Sequence, residues 1–353
     1  MAVALLNSLC LLPDVIADKA IYVTEVAAIE VTWLTLVVTL ALAYFASRSF
    51  LWRWRVGDYA RRYVLVTGCD SGFGFDLVQR LDTLGFRVFA GCLTSEGTER
   101  VTKVTSYRVM PVSLDVTNAQ NISQVVDYME SKLPPGLGLW AVVNNAGILP
   151  SMAPWELTSR DCFQRTLAVN FLGVVEVTRA CASLLRRSRG ARVINMSSVS
   201  GRLGFAAADY TASKFALEGF SECLRRELRK DGIHVSIITP GGFQTRLCDF
   251  DSIFDSMQIT FDSLSPETRQ HFGKDYVTSR RTLFTKFLRH FRWGSSSLGH
   301  VTEAYVHALS ARFPRTRYVV GTDAILFFQP LWHLPACLVD LLWATWPFSL
   351  VLR

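Results

Sequence analysis

The chain has 353 residues, half of them hydrophobic, with a formal net charge of +7. That length holds one α/β domain with extensions or two average domains, and the apolar share is high for a soluble enzyme. The positive excess lies beside apolar stretches, which suits a lipid surface or an anionic cofactor. With no zinc-finger, helix-turn-helix or RNA-binding signature, nucleic acid is excluded as a partner.

Residues 1–62 form a first zone. Its stretch Val31–Ser47, VTWLTLVVTLALAYFAS, carries no charge, and Phe50 to Trp54 extend the apolar reach to a span of about residues 31–51. A helix of about 17–20 residues rises roughly 26–30 Å, enough for a thin bilayer core. Asp14, Asp18, Glu25 and Glu30 precede the span against Lys19 alone, which fits neither a signal peptide nor a mitochondrial transit peptide. A retained transmembrane anchor is therefore expected. Arg48, Arg53, Arg55, Arg61 and Arg62 follow the span, so the positive-inside rule puts the rest of the chain in the cytosol. The expected location is the endoplasmic reticulum membrane, with a mitochondrial membrane as the alternative. Asn121-Ile122-Ser123 is a glycosylation sequon, and carbohydrate there would contradict this topology.

Residues 63–245 alternate strand-like and helical patterns. The runs Tyr63–Thr67, Arg87–Cys92, Tyr107–Leu114, Trp140–Asn144, Arg192–Ser197 and His234–Thr239 read as strands. Amphipathic stretches such as Asp76–Leu84 and Asn121–Leu133 separate them. This alternation predicts an α/β fold, a Rossmann-like doubly wound parallel sheet. The eight cysteines show no C-x-x-C and fall within apolar patterns, so they read as reduced thiols. The six histidines are scattered without ligand spacing, and no metal site is expected.

Residues 246–353 look irregular and read as a substrate-binding, membrane-proximal extension. In Arg280–Arg292, Leu283, Phe284, Phe287, Leu288 and Phe291 share one helical face, which suits a membrane surface, the cap of a greasy pocket or an ordinary packed helix. The aromatic tail from Ala324 is broken by Pro330, Pro335 and Pro347, so it reads as an apolar wall or interfacial anchor, not a span.

Chemistry concentrates in the middle zone. Thr67-Gly68-Cys69-Asp70-Ser71-Gly72-Phe73-Gly74 follows the first strand and opens a helix. Glycines there let the backbone approach a pyrophosphate at the positive end of that helix. Tyr210 and Lys214 stand four apart, on one helical face. An ammonium beside a tyrosine favours its phenolate form, the requirement for a base near neutral pH.

These residues resemble the short-chain dehydrogenase/reductase family, whose fingerprint is T-G-x-x-x-G-x-G. Asn144-Asn145-Ala146-Gly147, Asn170, Ser198, Tyr210-x-x-x-Lys214 and Pro240-Gly241 follow in the family's order and spacing. TGCDSGFG, FAGCL, LWAVVNNAG and the long third zone are similar to one branch. That branch holds retinol dehydrogenases, 11-beta- and 17-beta-hydroxysteroid dehydrogenases and 3-hydroxybutyrate dehydrogenase. The resemblance covers about Tyr63 to Thr245, and the remainder only loosely.

It implies a nicotinamide dinucleotide held by Thr67, Gly68, Asp70, Ser71, Gly72, Phe73 and Gly74, with Asp115 at the adenine. Asn144, Ala146, Gly147, Pro240, Gly241 and Thr245 complete that set, together with Tyr210 and Lys214. The family's usual acidic residue at the end of the second strand is Cys92 here. No Arg or Lys stands at Cys92, Leu93 or in the glycine loop, and Asp70 would repel a 2′-phosphate, so NAD is expected over NADP. The resemblance also makes Tyr210 the base, Lys214 its partner and ribose holder, and Asn170 the holder of a proton-relay water. Ser198 becomes the donor to the substrate oxygen, with Ser197 as its competitor. The implied reaction is oxidation of a hydroxyl on a small apolar lipid alcohol, a hydroxysteroid or retinol. A 3-hydroxybutyrate-type hydroxy-acid dehydrogenase, with Arg246 as carboxylate partner, is the alternative; a non-catalytic nucleotide-binding membrane protein is a third. Family members often form dimers or tetramers, so a homo-oligomer is admitted.

Overall fold

Strands form where β-branched and apolar residues run together: β1 Tyr63–Thr67, β2 Arg87–Cys92, β3 Val109–Ser113, β4 Ala141–Asn144, β5 Arg192–Met196, β6 His234–Pro240 and β7 Arg317–Val320. The computed structural model describes residues 31–44, 47, 50–150, 152–204, 207–243, 245, 247, 250–291 and 297–345. All seven strands pair in parallel, in the order β3-β2-β1-β4-β5-β6-β7. The order reverses between β1 and β4, which opens a crevice at the carboxyl ends of the strands, where ligands bind in open α/β sheets.

Both sheet faces are covered. Helices α1 (Gly72–Leu84), α2 (Ser95–Val104), α3 (Ala119–Lys132), α4 (Arg160–Leu167), α5 (Gly173–Ala180), α6 (Ala182–Arg186) and α7 (Ala208–Glu227) follow the strands in turn. Pleating sends Val64 and Val66 of β1 into one core with Leu77 and Leu81 of α1. Leu65, between them, enters the other core with Ile122 and Met129 of α3. Strands buried on both faces read as unbroken apolar runs, which is why the parallel sheet was legible in the sequence.

The third zone is more ordered than its sequence suggests. Helices α8 (Phe250–Asp262), α9 (Pro266–Phe272), α10 (Tyr276–Phe291) and α11 (Gly299–Ser310) lead into β7, and α12 (Ala336–Thr345) follows. Tyr305 and Leu309 of α11 lie in the same core as β1, and β7 of this zone adds the seventh strand to the sheet. Arg317 of β7 donates to Glu218 of α7 at 2.8 Å and to Thr239 at 3.1 Å, which ties the edge strand to the sheet. On α10, the side chains of Phe284, Phe287, Leu288 and Phe291, on which the amphipathic reading rests, lie outside the described residues.

The chain divides into two units, Met1–Arg55 and Val56–Arg353. In the first, residues 31–44 are helical and their apolar side chains, Trp33, Leu34, Leu40 and Leu42 among them, are exposed. Among the described residues no helix is long and apolar enough to cross a membrane, and four positions of the expected span, 45, 46, 48 and 49, lie outside them. The second unit begins before the expected boundary at Arg62. Val56 donates its N–H to Ser310 O at 2.7 Å. The Arg62 guanidinium stands 3.7 Å from the Trp140 ring centroid, with that of Arg192 at 4.1 Å from the same ring.

Candidate active site

The glycine loop is held by backbone geometry and by one asparagine. Gly68 and Gly72 sit at φ of 69° and 61°, where a side chain would be strained. A Cβ on Gly68 would come within 2.7 Å of Ala146 Cα, and one on Gly74 would run into the Gly68 carbonyl oxygen. The Asn145 amide donates to the carbonyls of Thr67 and Gly68, both at 3.0 Å. Tyr305, buried in the third zone, donates to Asn145 Oδ1 at 3.1 Å. The Thr67 hydroxyl accepts the N–H groups of Asn145 and Ala146, each at 3.0 Å. The loop at the end of β1 and the loop at the end of β4 are thereby one construction. Helix α1 starts beyond Ser71, whose side chain makes no capping hydrogen bond. An uncapped helix terminus behind a surface that any Cβ would fill suits a pyrophosphate, so these residues fit a dinucleotide.

The two aspartates flank that loop. The Asp70 carboxylate accepts the N–H groups of Leu93 and Thr94 at 2.9 Å and the Thr94 hydroxyl at 2.8 Å, which joins the glycine loop to the end of β2. Arg100 donates to the Asp70 carbonyl oxygen at 2.8 Å. Asp115 Oδ1 accepts the N–H and hydroxyl of Thr117, and its own N–H donates to Asn121 Oδ1 at 2.8 Å. Asn121 Nδ2 also donates to Ser113 O at 3.2 Å, so the sequon's amide is part of the fold.

The second wall comes from β5 and α7. Tyr210 and Lys214 emerge from the first turns of α7, both buried, with Lys214 Nζ 5.6 Å from the centre of the tyrosine ring. Lys214 donates to Met196 O at 2.9 Å. Burial pulls its ammonium down to about 8, and Glu218, one turn further along, partly opposes the fall. Ser198 Oγ accepts the N–H of Ser200 at 3.1 Å, which starts a short turn. The neighbouring Ser197 hydroxyl is buried without a hydrogen-bond partner among the described residues. Asn170 lies in a π-helical turn, Ala168–Leu172. It clamps Ile148 from both sides, accepting its N–H at 2.8 Å and donating to its carbonyl at 2.9 Å, and donates to Ser213 at 3.1 Å.

These walls enclose a cavity of about 820 Å³. Gly68, Asp70, Ser71, Gly72, Phe73, Asp115, Ala146, Gly147, Ser198, Tyr210, Lys214, Pro240, Gly241 and Thr245 all line it. Thr67, Gly74, Asn144 and Asn170 do not; they lie behind the wall and shape it. Asn144 is a correction to the expected contact set. It is the last residue of β4, and its amide is bound to Thr178 at 2.9 Å and Asn195 at 2.8 Å on the core side. Its neighbour Asn145 lines the cavity instead. Asp323, unremarked in the sequence, accepts the Gly242 N–H at 2.7 Å and leaves no room for a side chain at Gly241. The expected carboxylate partner Arg246 lies outside the described residues. A phenol, an ammonium and two hydroxyls at one end, with a phosphate-ready loop at the other, make a site able to move a proton beside a bound dinucleotide.

Comparison with known proteins agrees with this geometry. The family model of short chain dehydrogenases matches residues 62–252. 17-beta-hydroxysteroid dehydrogenase type 6 of Bos taurus is 39% identical over 316 residues, 89% of this chain and 98% of that protein. Retinol dehydrogenase 16 of Mus musculus is 40% identical over 310 residues, 88% of this chain and 96% of its own. A short chain dehydrogenase/reductase from Burkholderia phymatum, solved in complex with NAD, superposes with a TM-score of 0.63 at 21% identity, covering 81% of this chain and 96% of that one, a likeness of fold.

Proposed function

We propose that this chain, which belongs to the short-chain dehydrogenase family and is an alcohol oxidoreductase, oxidises a hydroxyl of an apolar lipid alcohol, a hydroxysteroid or a retinol, to the carbonyl. The observation that carries the reading is the shared cavity wall of Tyr210, Lys214 and Ser198, continued by Met152, Val199, Phe250 and Trp343. Apolar and aromatic walls with a few convergent polar groups select an apolar ligand with one reacting hydroxyl. Gly68, Ser71, Gly72 and Ala146 hold the dinucleotide, Asp115 its adenine end, and Pro240, Gly241 and Thr245 its nicotinamide end. When bound, the dinucleotide supplies the hydride acceptor.

Tyr210 Oη takes the hydroxyl proton, and the Lys214 ammonium beside it favours the negative charge that prepares it. Ser198 donates to the substrate oxygen; the Ser197 hydroxyl, its competitor, is buried against Gly201. Asn170, through its clamp on Ile148, positions the segment after Gly147 and thereby the exit for the proton. NAD is favoured over NADP because the Asp70 carboxylate sits at the end of β2, where a 2′-phosphate would need a cation.

Residues 31–44, helical and apolar, support a bilayer anchor, and the arginines after them a cytosolic catalytic unit on the endoplasmic reticulum. The test is turnover by detergent-solubilised protein of hydroxysteroid, retinol and 3-hydroxybutyrate with each dinucleotide. Steroid or retinol oxidation with a higher kcat/KM for NAD is expected. Tyr210→Phe is expected to lose about 10²–10⁴-fold in kcat while still binding NAD. Undiminished turnover in that variant would overturn the mechanism.

A further inference from the structure

Beside the main cavity lies a second, solvent-open chamber of about 380 Å³, and the two share Leu149, Pro150, Arg165 and Leu247 in their walls. The character of the wall changes at that junction. Where the main cavity is aromatic and aliphatic, the chamber is lined by the hydroxyl side chains of Thr158, Ser159, Ser256 and Thr260. Arg165 is its one charged wall residue, and no carboxylate lines it among the described residues.

Arg165 is an exposed arginine that shares with several others the lack of a carboxylate partner; what sets it apart is its place in the wall of both cavities. Arg108, Arg186, Arg187, Arg226, Arg281 and Arg317 each stand against a carboxylate. Among the described residues, Arg165 makes no ion pair. A surface arginine without a partner is ordinary; this one stands on the seam of two cavities, with no carboxylate in the chamber wall among the described residues and the main cavity's acids, Asp70 and Asp115, in the glycine loop and beyond β3, a setting that suits an anion. A guanidinium meets a carboxylate or sulfate with two parallel N–H donors; of the chamber's hydroxyls Thr158 and Thr260 already donate to backbone carbonyls, which leaves Ser159 and Ser256 to supply further donors.

The position of this cation is coupled to the reacting end. Arg165 lies in the last turn of α4. From the same helix Thr166 donates to the buried Asp209 carboxylate at 2.7 Å, and Cys162 approaches it at 3.4 Å. Asp209 immediately precedes Tyr210 on α7. The guanidinium and the phenol therefore stand on two helices bound to each other through a buried carboxylate. That link sets the spacing of the two helices, against which a substrate's length is measured.

We propose that Arg165 and the hydroxyl-lined chamber form a subsite for an anionic group, a carboxylate or a sulfate, at the end of the substrate remote from the reacting hydroxyl. The subsite rests on the alcohol-oxidation reading and narrows it to amphipathic lipid alcohols that carry a negative charge at the far end.

Three hydroxysteroids test the subsite with the full-length, detergent-solubilised enzyme and NAD: one with a side-chain carboxylate, its methyl ester, and one with a sulfate at the same end. The kcat/KM of an anionic substrate is expected to exceed that of the ester by about tenfold, with the difference in KM. A gain for the carboxylate alone, or for the sulfate alone, supports the subsite and identifies its anion. Arg165→Gln is expected to bring the ratio close to one, and Arg165→Lys to leave it intermediate, because a lysine keeps the charge but not the paired donors. A wild-type ratio at or below one, or a ratio that Arg165→Gln leaves unchanged, overturns the subsite and spares the alcohol reading. Preference for 3-hydroxybutyrate over all three steroids also overturns it, since the anion would then lie beside the reacting carbon. If none is oxidised, the alcohol reading fails, and calorimetric binding of the carboxylate decides the subsite separately. A Kd about tenfold weaker in Arg165→Gln supports it; equal values overturn it.

Discussion

Lys214 carries its charge where charge is unwelcome. Burial holds the ammonium near 8, below its ordinary 10.5, so between those values the folded chain has released a proton that the unfolded chain still binds. Stability then rises with pH from about 8 to 10.5, and below pH 8 the buried ammonium costs up to about 3 kcal/mol. Lys214→Met is therefore expected to raise the melting temperature of the cofactor-free protein at pH 7, by the equivalent of about 1–2 kcal/mol, once the loss of the bond to Met196 O is subtracted. The same variant should flatten the pH dependence between 8 and 10.5 and be inactive. Thermal melts across that range check both expectations, and a destabilised variant at pH 7 would refute the reading. At this scale the sequence was most informative where spacing alone fixes geometry: Tyr210 and Lys214 share a helical face wherever the helix lies. It was silent where two like residues adjoin. Asn144 and Asn145 are equally polar, and only the pairing of Asn144 with Asn195 across β4 and β5 decides which turns to the core.

The glycine loop shows how an element is specified by what it excludes. Gly74→Ala would set a methyl group against Gly68 O and within 2.5 Å of Asn145 Nδ2, so the loop and the β4 end must shift together. The expected result is a loss of about 1–3 kcal/mol in stability and an NAD Kd weakened about tenfold or more, read by thermal melts and fluorescence titration. Unchanged NAD affinity would count against the loop as the pyrophosphate site. The first six strands were legible because each is a largely apolar run, buried on both faces in all but the edge strand β3. The start of β3 moved from Tyr107 to Val109 because Asp82 accepts the Ser106 N–H at 2.7 Å and holds a turn there, leaving Tyr107 exposed. Strand β7 escaped the reading: four residues, half-buried in alternation at a sheet edge, give too short a pattern to stand out.

Taken whole, the chain divides into Met1–Arg55, helical over residues 31–44, and the catalytic unit Val56–Arg353, whose core draws on elements from β1 to α11 and β7. The sequence put a boundary at Thr245, yet Tyr305 and Asp323 from beyond it shape the loops at the carboxyl ends of β1 and β6. Such long-range support leaves no local trace for sequence to show. Removing residues 1–55 is expected to leave a protein that melts cooperatively, binds NAD as before and stays in the supernatant after centrifugation, while the full chain remains with membranes after alkaline wash. Full-length protein released by that wash would count against the anchor. Orientation is better judged by protease protection than by carbohydrate at Asn121, whose amide is occupied in the folded unit. The entry point at Val56 also has a mechanical meaning. Force applied from the N-terminal side first opens the Val56–Ser310 hydrogen bond and then meets Arg62 stacked on Trp140. Beyond that stack β1 is bonded to β2 along one edge and to β4 along the other. A pull along its axis loads both ladders in shear, so their bonds must fail together instead of peeling one by one, and tension from a tether is resisted before it reaches the glycine loop.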